Sequence, residues 1–296
     1  MKPKIRLFIG HELPDECRRG RAAVFEFIQS TMVTLTRIFR FSPGRSGEEY
    51  ANGFAGSPRI RSLERYFEMR VRCRGEVDPS TSYLLDIKRI DRAMEKFVLP
   101  PVTQALATHG DHADPVALLR SVIAPLNDEL SGLLASLRWQ LSPTYSLEME
   151  TSDMSQVLIR QWFDFAAAHR LHNPALSVEE NVRLYGKCNN PNGHGHNYRF
   201  EPCVAMPTDA KGGEVFTLAM LEECSKRVLL DRFDHKHLNE DTLEFKQPGG
   251  VNPSVENIAK VFFDLLGPEI TRKCAKAKLA SMTVWETDRT SSTYPA

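Results

Sequence analysis

Three histidines define the first candidate centre. His194 and His196 stand two residues apart in the segment CNNPNGHGHNY, Cys188 to Tyr198. On an extended strand, residues i and i+2 point to the same face, so both rings can reach one ion. The run FAAAHRL offers a third imidazole, His169, on the strand that precedes the loop. If the two strands pair as a hairpin, three neutral imidazoles converge. Three protein ligands leave the fourth position of a tetrahedral zinc open, which is the catalytic pattern and not the closed structural one. Imidazole also suits iron, nickel and copper, so zinc is a preference among several metals. The bland reading is a polar turn that happens to hold histidines. His172 sits in a loop and is the poorer third ligand.

A second set of residues suits proton transfer. Asp234 and His235 are adjacent in RFDHKHLN, and a carboxylate beside an imidazole fixes its tautomer and raises its basicity. Cys188 opens the segment that holds two of the histidines. A nearby metal or cation would lower its thiol from the ordinary value and make it a usable base. Near the C-terminus MTVWETDR alternates apolar and polar residues, placing Glu286 and Thr287 at a strand end. A carboxylate there can grip a flat heterocycle through paired hydrogen bonds, or can be a solvated strand-end acid. Cys73, Cys203, Cys224 and Cys274 sit in strand-like or helix-like contexts and read as core or surface thiols.

The elements that must position these groups occur twice. FRFSPGR and FDFAAAHR each follow a strand-like run, each leads through a loop holding Asn-Gly, and each is followed by a second strand, RYFEMRVRC or HNYRFEPCV. Amphipathic stretches with apolar residues spaced at three and four come next, which argues helix. Further helical segments are expected around Pro115–Leu137 and Ser254–Leu266. Both halves then finish on LAS plus a strand, LASLRWQLS and LASMTVWET. The order strand, strand, helix, helix, strand, strand makes an α+β domain of four antiparallel strands with two helices on one face. The expected units are 1–152 and 153–296, with AAVFEFIQS as an added N-terminal helix. The first half has Arg45 near the place of His169, and Leu141 where Glu286 would fall. His109 and His112, in HGDHADP, read as a polar loop before a helix.

Bulk properties narrow the partners. The 296 residues carry 38 basic and 38 acidic side chains, so no whole-chain field attracts nucleic acid or anionic lipid. A 42% hydrophobic share supports a proper core, and no stretch approaches a membrane-spanning helix. The N-terminal apolar run is too short for a signal peptide, and six scattered cysteines do not read as a disulfide framework. A cytoplasmic protein with reduced thiols is expected.

With these segments assembled, Trp162 to Tyr294 resembles the 6-pyruvoyl-tetrahydropterin synthase family. The likeness is carried by FxAAHRL, LSVEENVRLYGKCNNPNGHGHNY, FDHKHLN, ENIA and VWETD. The resemblance implies the tunnelling fold, in tandem here, with domains joined through their sheets into barrels and sites at subunit interfaces. It implies zinc on His169, His194 and His196, Cys188 as the base, Asp234 and His235 as a relay with it, and Glu286 as the pterin anchor. Thr287 and Ser254 would add substrate contacts, although Ser254-Val255 departs from the family's threonine pair. The implied reaction converts 7,8-dihydroneopterin triphosphate with loss of triphosphate and without a nicotinamide. Lys187, Arg170 and Arg183 are candidate triphosphate contacts. The alternatives are a 6-carboxy-tetrahydropterin synthase of queuosine biosynthesis and a non-catalytic pterin-binding protein. A homo-oligomer is expected, a trimer of two-domain chains with second halves in one ring and first halves in another.

Overall fold

The computed structural model describes residues 32–43, 56–58, 63, 65–211 and 215–296. The expected N-terminal helix, Arg45 and the Asn52-Gly53 turn lie outside the described residues. Among the described residues the chain is mixed α+β, built on one ten-stranded sheet. The first half contributes β1 (Met32–Phe41), β2 (Phe67–Glu76), β3 (Leu134–Gln140) and β4 (Tyr145–Glu150). The second contributes β5 (Asp153–Gln161), β6 (Phe163–His169), β7 (His194–Pro207), β8 (Lys236–His237), β9 (Lys278–Thr287) and β10 (Thr290–Tyr294).

The first half keeps the expected four strands, and two features raise the second half to six. The long strand that carries His169 is split at Trp162 into β5 and β6, which keep one register against β7 (Arg160↔Cys203, then Phe163↔Phe200). The outer edge of β5 is taken by β4, and that of β6 by the short parallel strand β8. The β4–β5 pairing also overturns the expected arrangement of separate rings. Both halves lie side by side in one sheet, so any ring closed through its edges contains both.

Binary patterning explains which face is covered. Along β2, Met69, Val71 and Cys73 are buried while Arg70, Arg72 and Arg74 are exposed, the period-two signature of a sheet with one apolar face. The helices cover that face. They are α1 (Ile87–Phe97), α2 (Leu99–His109), α3 (Pro115–Glu129), α5 (Leu218–Ser225) and α6 (Val255–Lys273), while α4 (Val178–Tyr185), with Val178, Val182 and Leu184 exposed, stands off it. The apolar stripe of α6, including Ile258, Phe262, Leu266 and Ile270, is buried, and Phe262 packs on Phe165 and Phe200. None of these helices is long and apolar enough to cross a membrane. Expected boundaries shift in two places. Helix α3 stops at Glu129, because Ser131 and Gly132 take left-handed conformations (φ 58° and 75°) that end it before β3. Helix α2, unforeseen in the sequence, starts just before Pro100-Pro101, where ring-fixed φ suits a first turn. HGDHADP is the expected turn, and Asp114 caps α3 by accepting the Val116 and Ala117 N–H groups.

The other face of the sheet carries charge that crosses the junction of the halves. Glu148 on β4, 3% exposed, pairs with Arg72 (3.5 Å) and Arg160 (3.3 Å) and accepts from Ser136 Oγ (2.7 Å). Glu201 on β7 pairs with Arg138 (3.3 Å) and Arg160 (3.8 Å). Removing one member leaves buried charge uncompensated. Glu148→Ala is therefore expected to destabilise the chain by about 3 kcal/mol, the lower end of what breaking a buried pair costs because Glu201 still faces Arg160. Urea denaturation checks this through the transition midpoint.

Candidate metal centre

The hairpin of β6 and β7 builds the centre. His169 lies directly opposite His194, and Ala167 opposite His196. Directly opposed residues and i, i+2 neighbours share a face, so the three rings meet on the helix-covered side. Ring centroids are 4.5, 4.8 and 5.2 Å apart, and one nitrogen of each ring lies within 4.8 Å of the others. The small side chain of Ala167 leaves room for the ring of His196. Gly193 turns the chain into β7 at φ 71°, and a Cβ there would stand 2.5 Å from His237 Nε2 and 3.0 Å from the His169 carbonyl. That position admits only glycine.

The donor set fits a cation. His169 Nδ1 meets the Pro253 carbonyl at 2.7 Å, which leaves its Nε2 facing the other rings, 3.1 Å from His194 Nε2. His194 Nδ1 and His196 Nε2 are buried without a hydrogen-bond partner among the described residues. Burial keeps His169 neutral, pushing its pKa from the ordinary 6.5 down to about 4, with the carbonyl of Pro253 opposing. His194 is lowered for the same reason, with His196 adding to it. Imidazoles facing inward, with His196 orphaned at Nε2, are ready ligands.

Glu286 belongs to this cluster more closely than its sequence context suggested. Its Oε1 lies 3.4 Å from His169 Nε2 and 3.7 Å from His196 Nε2. Cys188 is near enough for the Glu286 carboxylate to act on it. Burial first, and then that negative charge, push the thiol up. The protein's own groups thus work against a thiolate, and a cation among the histidines would have to reverse their effect. The Cys188 loop is pinned where its carbonyl accepts from Leu171 N (2.8 Å), and where Arg170 Nε reaches the Asn189 carbonyl and side chain (3.3 and 3.2 Å).

Asp234 and His235 form a pair at 3.0 Å, but no hydrogen bond or ion pair joins them to Cys188 among the described residues. Asp234 Oδ1 accepts the Ala166 N–H of β6, and the His235 side chain is 81% exposed. His235 takes a left-handed backbone (φ 57°), a conformation uncommon outside glycine and concentrated at functional positions. Two further candidates have local structural roles. Ser254 caps α6 by accepting the Asn257 N–H, and Thr287 Oγ1 accepts the Arg289 N–H in the β9–β10 turn. Arg170 is committed to the Cys188 loop, while Lys187 and Arg183 are exposed.

Sequence reasoning missed three groups. Tyr198 is fully buried beside the rings of His169 and His196, and its hydroxyl has no partner among the described residues. Its signal was the strand alternation that continues from His194 through His196. His237 packs on Gly193, and the Pro253 carbonyl orients His169. Neither contact leaves a mark in local sequence spacing.

Two outcomes follow from the electrostatics. In the metal-free chain the unfolded state takes the His169 proton near pH 6.5, whereas the folded state resists it to about 4. This contribution is fully present above 6.5 and is lost as pH falls towards 4. Thermal unfolding across that window should show the slope, and His169→Gln should flatten it. Glu286→Gln removes one of the two influences that raise Cys188. Alkylation of Cys188 at neutral pH, followed by mass spectrometry, should then be faster than in the parent chain. An unchanged rate would mean that burial alone governs the thiol.

Comparison with known proteins gives consistent neighbours. The family model for 6-pyruvoyl tetrahydropterin synthase matches residues 158–296. The chain is 36% identical over 133 residues to the 6-pyruvoyl tetrahydrobiopterin synthase of Homo sapiens, covering 45% of this chain and 87% of that one. It is 42% identical over 100 residues to the Drosophila melanogaster enzyme of the same name, covering 34% and 58%. Against the Poecilia reticulata protein it is 44% identical, covering 34% of this chain and 66% of that one. The chain thus spans less than two thirds of the length of the fly and guppy relatives. The solved 6-pyruvoyl tetrahydropterin synthase of Caenorhabditis elegans is 34% identical, with a TM-score of 0.41, covering 47% of this chain and 94% of that chain.

Proposed function

Because the chain belongs to the 6-pyruvoyl tetrahydropterin synthase family, we propose that residues 153–296 form a zinc-dependent lyase acting on 7,8-dihydroneopterin triphosphate. The observation that carries this reading is the convergence of His169, His194 and His196 with Glu286 and Cys188 at one end of the sheet. The three histidines would hold the metal through one nitrogen each. When bound, a metal there supplies Lewis-acid polarisation of the substrate's side-chain oxygens.

The remaining work falls to side chains of the chain itself. Glu286 accepts the donor edge of the pterin and fixes the ring. Cys188, as thiolate, takes a proton from the substrate side chain. His235, held by Asp234, gives or takes the second proton from the other side. Loss of triphosphate and tautomerisation of the side chain then need no external oxidant or reductant. Free thiols at Cys73, Cys188, Cys203 and Cys224 suit a cytoplasmic setting.

Residues 1–152 and 153–296 are proposed to be related domains, the first without a metal site. Continuing the register of β1 and β2 puts Leu63 and Arg65 at the places of His194 and His196, and that of β3 puts Leu141 at the place of Glu286. The assembly is proposed to be a homo-oligomer.

The test is direct. Purified chain should carry about one metal equivalent by elemental analysis, and His194→Ala or His196→Ala should lose it. Cys188→Ala should retain the metal while turnover falls by about 10²- to 10⁴-fold, the range for losing a general base. Product mass separates a 6-pyruvoyl from a 6-carboxy product. Full turnover in Cys188→Ala would remove the proposed base.

A further inference from the structure

The face of the sheet turned away from the helices holds a cleft of about 530 Å³, the size of a small-ligand site. Tyr66 and Arg70 line it from β2 and the residue before it, Arg138 from β3, Trp162 from the β5–β6 break, Arg199 from β7 and Trp285 from β9. Strands β2 and β9 stand five places apart in the strand order, about 24 Å on a flat sheet. Both line one cleft, so the sheet curls around it. The 3.3 Å contact of Arg138 Nη2 on β3 with Glu201 Oε2 on β7 spans the same curl. The cleft is separate from the metal centre. Neighbouring residues of a strand face opposite ways, so Trp285 lines the cleft while Glu286 joins the histidines.

Both halves contribute to it, with unlike chemistry. In the first half Phe39 pairs with Met69, Met69 with Trp139, and Leu137 with Met149. In the second half Phe163 pairs with Phe200, Phe200 with Val284, and Met282 with Tyr294. Under the proposed relation of the halves, β1 corresponds to β5 and β6, β2 to β7, β3 to β9, and β4 to β10. Gln140 then stands where the second half has Trp285. Glu68 and Arg70 stand where it has Arg199 and Glu201, with the signs exchanged. The second half supplies both indoles, and the first half supplies Arg70. A ligand lying across the cleft meets flat apolar surface at one end and a cation at the other.

The aromatic end is held in place. Trp162 N–H donates to the Thr144 carbonyl and Trp162 Nε1 to that of Pro143, both at 3.1 Å. The guanidinium of Arg199 lies over this indole, 4.0 Å from the ring centroid, and Arg199 is directly opposite Trp285 on β9. Its ion pair with Asp164 is loose, at 3.6 Å, and both side chains are exposed. A stacked guanidinium keeps its edge donors for a planar partner. Such an edge matches the acceptor edge of a heteroaromatic base, a purine above all.

The cationic end is under-neutralised. Arg70 lies directly opposite Arg138 across β2 and β3, and like charges placed so are destabilising. Arg138 is committed to Ser146 Oγ (2.8 Å) and to Glu201. Arg70 Nε has Glu68 at 3.5 Å, but that carboxylate accepts from Arg40 Nε at 3.1 Å. The terminal nitrogens of Arg70, whose side chain is 45% exposed, have no partner among the described residues. Guanidinium and phosphate match through paired, charge-assisted hydrogen bonds.

We propose that this cleft binds a nucleoside monophosphate, its base against Trp162, Arg199 and Trp285 and its phosphate on Arg70. The site is independent of the proposed pterin chemistry and needs none of the three histidines.

Calorimetric titration of the full chain with each of the four common ribonucleoside 5′-phosphates, at low salt, tests this. At least one, a purine first, should bind once per chain. Its parent nucleoside and inorganic phosphate should each bind at least about tenfold more weakly. Trp162 and Trp285 are two of the three tryptophans in the chain, so binding should also quench the intrinsic fluorescence. Arg70→Gln should remove the advantage of nucleotide over nucleoside, with circular dichroism and metal content unchanged. Arg199→Gln should weaken nucleotide and nucleoside alike. Absence of saturable binding by all four would overturn the proposal, and a nucleoside that binds as well as its phosphate would overturn the role of Arg70. Binding that survives both arginine variants but is lost in Glu286→Gln would move the nucleotide to the metal centre and overturn the cleft. Nucleotide binding to a chain that holds no metal would instead sink the proposed function and leave the cleft standing.

Discussion

The antiparallel register of β6 with β7 is the constraint on which the rest depends. It sets His169 opposite His194, and the two-residue period of β7 then brings His196 to the same face. A slip of one residue would turn His194 and His196 to the opposite face from His169. The register is held well away from the histidines. Phe163 stacks on Phe200 at 5.0 Å and Phe165 on Tyr198 at 4.9 Å, with Phe262 of α6 closing over Phe165 and Phe200. The aromatic core fixes the strand pair, and the strand pair fixes the imidazoles. The orphaned nitrogens of His194 and His196 are tolerable in a buried setting only if something else satisfies them, which is why the packing argument and the metal argument point the same way.

Much of this was legible in the sequence because it follows from short-range periodicity. The His-x-His spacing and the strand before the loop are local patterns, and each has its counterpart in the sheet. What was not legible depends on contacts between segments far apart in the chain. Pro253 orients His169 across 84 residues, and Asp234 anchors β6 across 68. The direction in which Cys188 is shifted could not be read either. It depends on how deeply the loop is buried and on Glu286 reaching towards the same space, and neither is a property of CNNPNGHGHNY itself. The joining of the halves was missed for a similar reason. The period-two apolar alternation of a strand is silent about which other strand will lie beside it.

The contrast between the halves separates two kinds of constraint. Under the proposed correspondence of the halves, Leu63, Arg65 and Leu141 of the first half fall where the second half has His194, His196 and Glu286. Along the sheet it has not. The pairing offsets of β1, β2, β3 and β4 reproduce those of their counterparts, and Glu148, Arg72 and Arg138 of the first half form the charge pairs that meet Arg160 and Glu201 of the second. A half kept only as a relic would have no reason to retain a buried carboxylate whose desolvation must be offset by partners across the junction. The described contacts of the first half with the second lie in the sheet pairing and in these charges.

The two edges of each half then carry different chemistry on one geometry. At the β4–β5 junction the inner-face positions include Glu148, Ser146 and Arg160, a charged set that the covalent link already holds at high local concentration. At the corresponding places on β10 and β1 stand Thr293, Ser291 and Thr36, which are neutral and carry hydroxyls. Threonine suits strands, and Thr–Thr neighbours add modest cross-strand stabilisation without the cost of desolvating ions. Within one chain that cost is met once, on folding, and the pairs then specify which strands lie together. The β4–β5 edge is thus charged where the chain joins its halves, while β1 and β10 present neutral hydroxyls at the corresponding places.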